Sequence, residues 1–347
     1  MKILSSLEIK YIVEELQSLL DSKVDQIYQP NNEELIIALH KTNVGRKLLR
    51  IVPGTCLYIA SKKSPSPQEQ LNFCKYLRKR LLNTRLKSIE QKNMERIVEL
   101  NFEFKDSKFI IITEFFSKGN IIICDNEYNI LSALHFQSWK DRSIKTKVKY
   151  EYPPAKKSFS NFDEFKELIK SSNKESIVKT LAMTLNLGGM YAEELCFRSN
   201  IAKDKKSTSD KEIKTLYDEL QKLYTEKSNP SLLPNNPVPI KIHSIDEGKN
   251  LSSYNEALDL YYSQFLTEQV EEAKEDPKLK KYQEILKDQE SQYQEIELSI
   301  SENRYKGEYI YNNYMELKEL FDTFKKDRKS IPKTIKIENK TLIMEIK

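Results

Sequence analysis

The double glycine Gly188-Gly189 stands between two helical stretches within Leu181–Arg198 and fits a helix-hairpin-helix pattern. Glycine permits positive φ and a close backbone approach, so the amides that open the second helix can face a phosphate. A plain helical hairpin packing on the core accounts for the same residues. A second candidate is Tyr76-Leu77-Arg78-Lys79-Arg80-Leu81, a cationic helical stretch able to track a nucleic-acid backbone. A solvated basic face is the alternative there. Thiol and imidazole chemistry has little material. Cys56, Cys74, Cys124 and Cys196 never form a CxxC pair, and His40, His135 and His243 are scattered. Zinc, a disulfide framework and a histidine-based triad are therefore not expected, nor is any cofactor. Buried free thiols in a reducing cytosol are the plain reading.

These candidates need a scaffold. Leu7, Tyr11, Ile12, Leu16, Leu19 and Leu20 recur at helical spacing. Short β-rich runs follow at Val24–Tyr28, Leu35–His40, Lys47–Val52, Cys56–Ala60, Arg96–Phe104, Lys108–Phe115, Asn120–Cys124 and Ile130–Phe136. Several alternate with period two, as half-buried antiparallel strands do. One helix interrupts them, carrying Gln70, Phe73, Leu77, Leu81 and Leu82 on one face. Short helices are expected from Phe162 to about Tyr224, then a strand at Val238–His243 and a helix from the Ser252-Ser253 cap.

From Leu279 to Phe324, residues at alternating steps of three and four, mostly apolar, keep one heptad register over 46 residues, with Gln289, Asn303 and Gly307 weakening its middle. The spacing predicts a coiled-coil helix of about 70 Å, at 1.5 Å per residue. Asp276-Pro277 opens it, Gly307 is a candidate bend, and Ile331-Pro332 closes it. Thr334–Ile346 has β character without a visible partner. No second heptad segment returns along the arm, so the seam is expected to pair with another chain or with a part of a longer protein.

Two or three structural units are expected from 347 residues, with 39% hydrophobic and 31% charged residues. That mix excludes wholesale disorder and a disulfide-stapled miniprotein. No run of apolar residues is long enough to span a membrane, and no signal peptide is visible, so a cytoplasmic protein is expected. The net charge of +5 says little, but its distribution is uneven. Lys62–Arg96 holds ten Lys/Arg against three Glu, whereas 264–302 holds five Lys against eleven Asp/Glu. A basic globular end and an acidic rod suit one end on phosphates and a spacer beyond it.

Several ordered stretches resemble the NFACT family, the ribosome-associated quality-control proteins also known as fibronectin-binding-protein-A-like. They are Ser6–Lys10, Val24–Gln29, Ile89–Val98, Gly119–Ile122, the Gly188-Gly189 hairpin ending in Glu193-Glu194-Leu195, and Lys306–Tyr314. The resemblance implies an α+β protein whose antiparallel-sheet N-terminal domain is like that of formamidopyrimidine-DNA glycosylases, with a helix-hairpin-helix module and a long coiled-coil arm. The expected divisions are 1–155 for the sheet domain, 156–230 for the hairpin module, 231–262 for a return strand and helix, 263–330 for the arm and 331–347 for a short β segment.

The resemblance further implies a non-enzymatic factor that binds the large ribosomal subunit, its rRNA and proteins, when peptidyl-tRNA obstructs it. The factor would recruit tRNA for mRNA-independent C-terminal tailing, the ribosome supplying the chemistry. Family members handle tRNA through an early Asp and an Asp-Arg pair; the matching positions here are Glu8, Glu95 and Arg96. Each carboxylate is one methylene longer than in the family pattern, which leaves tailing activity open. A carboxylate can accept from base-edge donors, and Arg96 can meet a phosphate or stack on a base. An ordinary Glu95–Arg96 ion pair at a strand start is the bland alternative. Two other functions stay in view: a DNA glycosylase or lyase, which would use the Lys2 amine where glycosylases use a proline amine, and an adhesin-type interaction protein.

Overall fold

The period-two runs become one antiparallel sheet. The computed structural model describes residues 1–343 except 68, 140–141, 154–158, 160, 235, 246–247, 275–276, 327–335 and 339–340. Helix α1 (Ser6–Leu16) runs into a 3-10 turn, Gln17–Leu19. The sheet then forms from β1 (Lys23–Asn31), β2 (Glu34–Lys41), β3 (Gly45–Val52) and β4 (Cys56–Ala60). After α2 (Asn72–Leu81) come β5 (Arg85–Gln91), β6 (Ile97–Phe104), β7 (Ser107–Glu114), β8 (Asn120–Cys124) and β9 (Ile130–Ala133). Its nine strands lie in the order β4-β3-β2-β1-β5-β6-β7-β8-β9. A short pair, β10 (Gln137–Ser138) and β11 (Ser143–Ile144), follows.

Next come α3 (Phe162–Lys170), α4 (Ile177–Thr184), α5 (Gly188–Arg198) and α6 (Asp210–Thr225). A small sheet of β12 (Ser231–Leu233), β13 (Asn236–Val238) and β14 (Lys249–Asn250) precedes α7 (Tyr254–Lys274). The mixed α+β class and the large antiparallel sheet are as expected. The chain divides into two compact units, Met1–Val270 and Glu271–Lys347.

The sheet is two halves joined at a single registered pair, Lys23 with Arg85. Beyond it β1, paired with β2 on its other edge, has no strand on its β5 side, and α2 supplies partners there. Cys74 Sγ and Arg78 Nε donate to the Ile27 carbonyl at 3.5 and 2.7 Å, and the Gln29 side chain accepts from Cys74 N at 3.0 Å. The distal turns of the two halves meet, because Gly54 N donates to the Glu114 carbonyl at 3.0 Å. Helix α1 is buried on most sides, with Leu7, Ile9, Tyr11, Ile12 and Leu16 in the core. At the outer edge of β4, the Asn255 amide of α7 pairs with both N–H and C=O of Ile59, and Asp259 accepts from Ser61 N. All four cysteines are buried and unpaired.

The structure departs from the sequence reading in a few places. Strand β5 was not foreseen: a bulge between Leu86 and Ser88 sets its buried Leu86 and Ile89 three residues apart, which breaks period two. The strand expected at Val238–His243 is instead β13, ending at Val238; Pro239 has no N–H to extend the ladder.

In the second unit, one expected helix is two, α8 (Pro277–Asn312) and α9 (Tyr314–Lys326). The interruption falls at Asn313 rather than Gly307; the backbone N–H and the side-chain amide of Asn313 both donate to the Tyr309 carbonyl, so the helical bond is kept there. The seam residues Ile296 and Ile300 are 57% and 62% exposed, so among the described residues the seam is solvent-facing. The terminal β segment finds its partner in itself, with β15 (Lys336–Glu338) antiparallel to β16 (Thr341–Ile343). Ile331-Pro332, the expected end of the arm, lies outside the described residues.

Candidate nucleic-acid interface

The residues singled out as Glu8, Glu95-Arg96 and Gly188-Gly189 are nearly two hundred positions apart in sequence. They meet in one place. Ser6 donates through its backbone N and its hydroxyl to the Asn186 carbonyl, at 3.2 and 3.0 Å, which ties the start of α1 to the turn before α5. The Asn186 amide in turn donates to Glu95 Oε2 at 2.8 Å. The Gln91 amide bridges the third element, donating to the Ser6 and Glu95 carbonyls at 2.8 and 3.0 Å.

The backbone is bent to reach this arrangement. Asn93 and Met94, in the β5–β6 turn, have φ of 46° and 53°, and Asn186 has φ of 54°. Left-handed non-glycine residues are uncommon and gather at functional sites. Gly188 needs its glycine for the same reason, with φ of 75°. At Gly189 a Cβ would meet nothing within 4 Å, so the approach to this backbone is open. Helix α5 has no side chain capping its N-terminus and no acid in its first turn. The N-terminus of α1 is already met by Ser5 and Glu8, so that of α5 is the uncompensated positive helix end at this spot, which favours an anion there.

Glu8 differs from what its proposed role requires. It is 1% exposed, and both of its oxygens are engaged. Oε2 accepts from Ser5 N at 2.8 Å, closing the capping box of α1. Oε1 accepts from the Tyr191 hydroxyl of α5 at 2.8 Å and forms an ion pair with Lys2. Burial and the Glu8 charge push the phenols of Tyr191 and Tyr254 well above their ordinary values, so both stay protonated. Lys2 is sealed in by the same packing. Its amine is held by Glu8 and the Pro237 carbonyl, its N–H donates to Tyr261 and its carbonyl accepts from Tyr262. Burial lowers the pKa of this amine, and Glu8 opposes the shift.

Arg96 is half-buried, and among the described residues its guanidinium makes no hydrogen bond or ion pair. Burial lowers its pKa while the adjacent Glu95 charge opposes the shift. Glu95 and Arg96 thus present a carboxylate with one oxygen oriented by Asn186, beside an available planar cation and an uncapped helix end. A single-stranded nucleotide has the matching groups: base-edge amines for the carboxylate, a base plane or phosphate for the guanidinium, and phosphate for the helix amides.

The basic run Arg78-Lys79-Arg80 is not part of this cluster. It lies at the C-terminal end of α2, where Arg80 stacks over the Tyr76 ring at 3.7 Å. Sequence reasoning missed Asn186, Gln91 and Tyr191 as organisers; all three sit inside stretches already singled out, but nothing in their spacing announced their bonds. Glu194, part of the hairpin motif, is buried and structural: it accepts from Arg198 Nε and His243 N at 2.7 and 3.0 Å, and these bonds hold its pKa below the usual value despite burial. Among the described residues no cluster of His, Cys, Asp or Glu could hold a metal ion.

The model of the NFACT N-terminal and middle domains matches residues 5–343. The chain belongs to the NFACT family. Among NFACT relatives, it is 31% identical to the archaeal Rqc2 homolog aRqcH of Methanocaldococcus jannaschii, covering 94% of this chain and 53% of that protein. It is 24% identical to the ribosome quality control complex subunit NEMF of Homo sapiens, covering 89% of this chain and 32% of that one. The chain thus spans about half, or less, of the length of these relatives. The crystal structure of the fibrinogen binding protein from Staphylococcus aureus superposes with a TM-score of 0.63 at 21% identity, over 74% of this chain and 98% of that one, and establishes a shared fold. No helix among the described residues is long and apolar enough to cross a membrane.

Proposed function

We propose that this NFACT chain is the tRNA-engaging part of a cytoplasmic ribosome-associated quality-control factor. In this reading it binds a large ribosomal subunit obstructed by peptidyl-tRNA and recruits tRNA for mRNA-independent tailing of the stalled chain, with the ribosome supplying the peptidyl-transfer chemistry. The observation that carries it is the convergence of the Glu95-Arg96 turn on the uncapped N-terminus of α5. The names of the archaeal and human relatives support the quality-control setting. Arg96 and Glu95 are the groups that face RNA. Glu8 acts behind them, as a positioning residue that fixes α5 against α1. The enclosed Lys2 amine supports a binding role rather than Schiff-base chemistry. The exposed heptad seam of α8 and α9 pairs, in this proposal, with a returning helix of a longer chain or with a second chain.

Binding of labelled bulk tRNA and duplex DNA at two salt concentrations tests this. Arg96→Ala should weaken tRNA binding about 10- to 100-fold, or ~1.5–3 kcal/mol for a charged hydrogen bond. Because among the described residues the guanidinium makes no hydrogen bond or ion pair, the melting temperature should hardly move. The tRNA preference should survive higher salt in the parent and vanish in Glu95→Ala/Arg96→Ala. Equal, salt-labile binding to both nucleic acids, unchanged in the variants, would sink the assignment.

A further inference from the structure

A different surface gathers positive charge on one aromatic ring. Tyr28, half-buried on β1, has Arg46 of β3, Lys63 of the segment after β4 and Arg78 of α2 at 5.9, 4.6 and 5.8 Å from its ring centroid. Arg46 Nη2 also donates to the Tyr28 hydroxyl at 2.9 Å, and Arg78 is fixed by its bond to the Ile27 carbonyl. The one carboxylate ion-paired to these cations among the described residues is Asp25, 2.9 Å from Arg46 Nε. Lys63 is exposed, and among the described residues it forms no ion pair or hydrogen bond.

Three cations against one acid leave an excess of two positive charges over a single ring. A ring face offsets only ~0.5–1 kcal/mol per exposed cation, so the mutual repulsion is not cancelled within the fold. An anion carrying more than one charge relieves it. The side chains of Arg46 and Asp25 are 45% and 50% exposed, so this is an open surface, suited to an extended polyanion with repeating charge rather than to an enclosed small ligand.

We propose that Tyr28, Arg46, Lys63 and Arg78 form a second RNA-backbone contact, built from elements other than those of the Arg96 cluster. It rests on the RNA-binding reading above and adds a sequence-independent phosphate grip to it.

The test uses the full chain, with bulk tRNA and a 20-nucleotide oligouridylate as probes, from 50 to 200 mM salt. Each phosphate contact contributes about 0.7–0.9 to the slope of log affinity against log salt. Arg46→Gln/Lys63→Gln should therefore flatten the slope by roughly 1.4–1.8 on both probes and weaken binding about 25- to 60-fold at 100 mM. Asp25→Asn should tighten binding about 5- to 8-fold, a gain that misfolding does not produce. Parent-like slope and affinity in the double variant overturn the proposal. So does a loss in the double variant without the gain from Asp25→Asn, which marks a folding effect. If only Arg96→Ala weakens binding, the Tyr28 surface is wrong and the Arg96 reading stands. If only the Tyr28 variants respond, with both signs as expected, the reverse holds.

Discussion

Glu8→Ala should cost about 3–5 kcal/mol of stability, because it strands a buried ammonium. The Lys2 side chain is 11% exposed and its partners are fixed. With Glu8 gone, burial acts alone on the Lys2 amine and lowers its pKa further. The sign of the pH effect follows. An amine whose folded value lies below its unfolded value of 10.5 binds fewer protons in the fold, so stability climbs as pH rises between the two. The deficit of Glu8→Ala relative to the parent should therefore shrink toward pH 10.5, as read by urea unfolding over a pH series. Glu8→Gln should cost less, since an amide oxygen can still accept from Ser5 N or Tyr191. The same experiment judges the positioning role. A Glu8→Ala protein as stable as the parent that nevertheless loses tRNA would mean that Glu8 touches RNA itself.

Gly119→Ala should be as damaging, for a reason of pure geometry. A Cβ at Gly119 would sit 1.9 Å from Gly54 N, 2.3 Å from the Pro53 carbonyl carbon and 2.6 Å from the Glu114 carbonyl oxygen. All three are backbone atoms, so no side-chain rotation makes room. The positive φ of 68° adds strain of its own. A loss of about 3 kcal/mol or more is expected, a drop of roughly 10 °C in thermal unfolding for a unit of this size. Gly45→Ala is the control: its φ is 81°, yet a Cβ there would meet nothing within 4 Å. It should cost only the ~1–2 kcal/mol of the backbone conformation. Similar melting temperatures for the two variants would show that the turns can separate.

Much of the fold was legible because burial writes a period into a sequence. Val98, Leu100 and Phe102 are buried at every second residue of a strand, and Ser6–Leu16 repeats every three or four and is a helix. Strand β5 was hidden because a bulge shifts its phase. The candidate site was legible only in parts. Gly188-Gly189 could be read from glycine's conformational freedom, whereas Glu8, Glu95 and Arg96 entered through family resemblance. That these parts share one place depends on the Ser6–Asn186 and Asn186–Glu95 bonds, which join segments far apart in the chain and leave no local pattern. The burial of Glu8 was likewise invisible, because its partners Lys2 and Tyr191 come from two different elements. The Tyr28 surface escaped notice because Arg46 lies outside the basic run that the charge count picked out.

The contact of α7 with the outer strand bears on where the chain can be cut. Asn255 occupies the outer N–H and C=O of Ile59 in β4, and Asp259 the N–H of Ser61 just beyond it, groups that would otherwise template a strand from a neighbouring molecule. The first 150 residues hold the whole sheet, yet the latch that keeps it from recruiting others arrives a hundred positions later. A protein ended after β9 would carry an open, apolar ribbon edge and should self-associate on expression, as light scattering would reveal. One carried past Phe265 should stay monodisperse. The boundary of the domain is thus set by the return of α7 rather than by the last strand of the sheet.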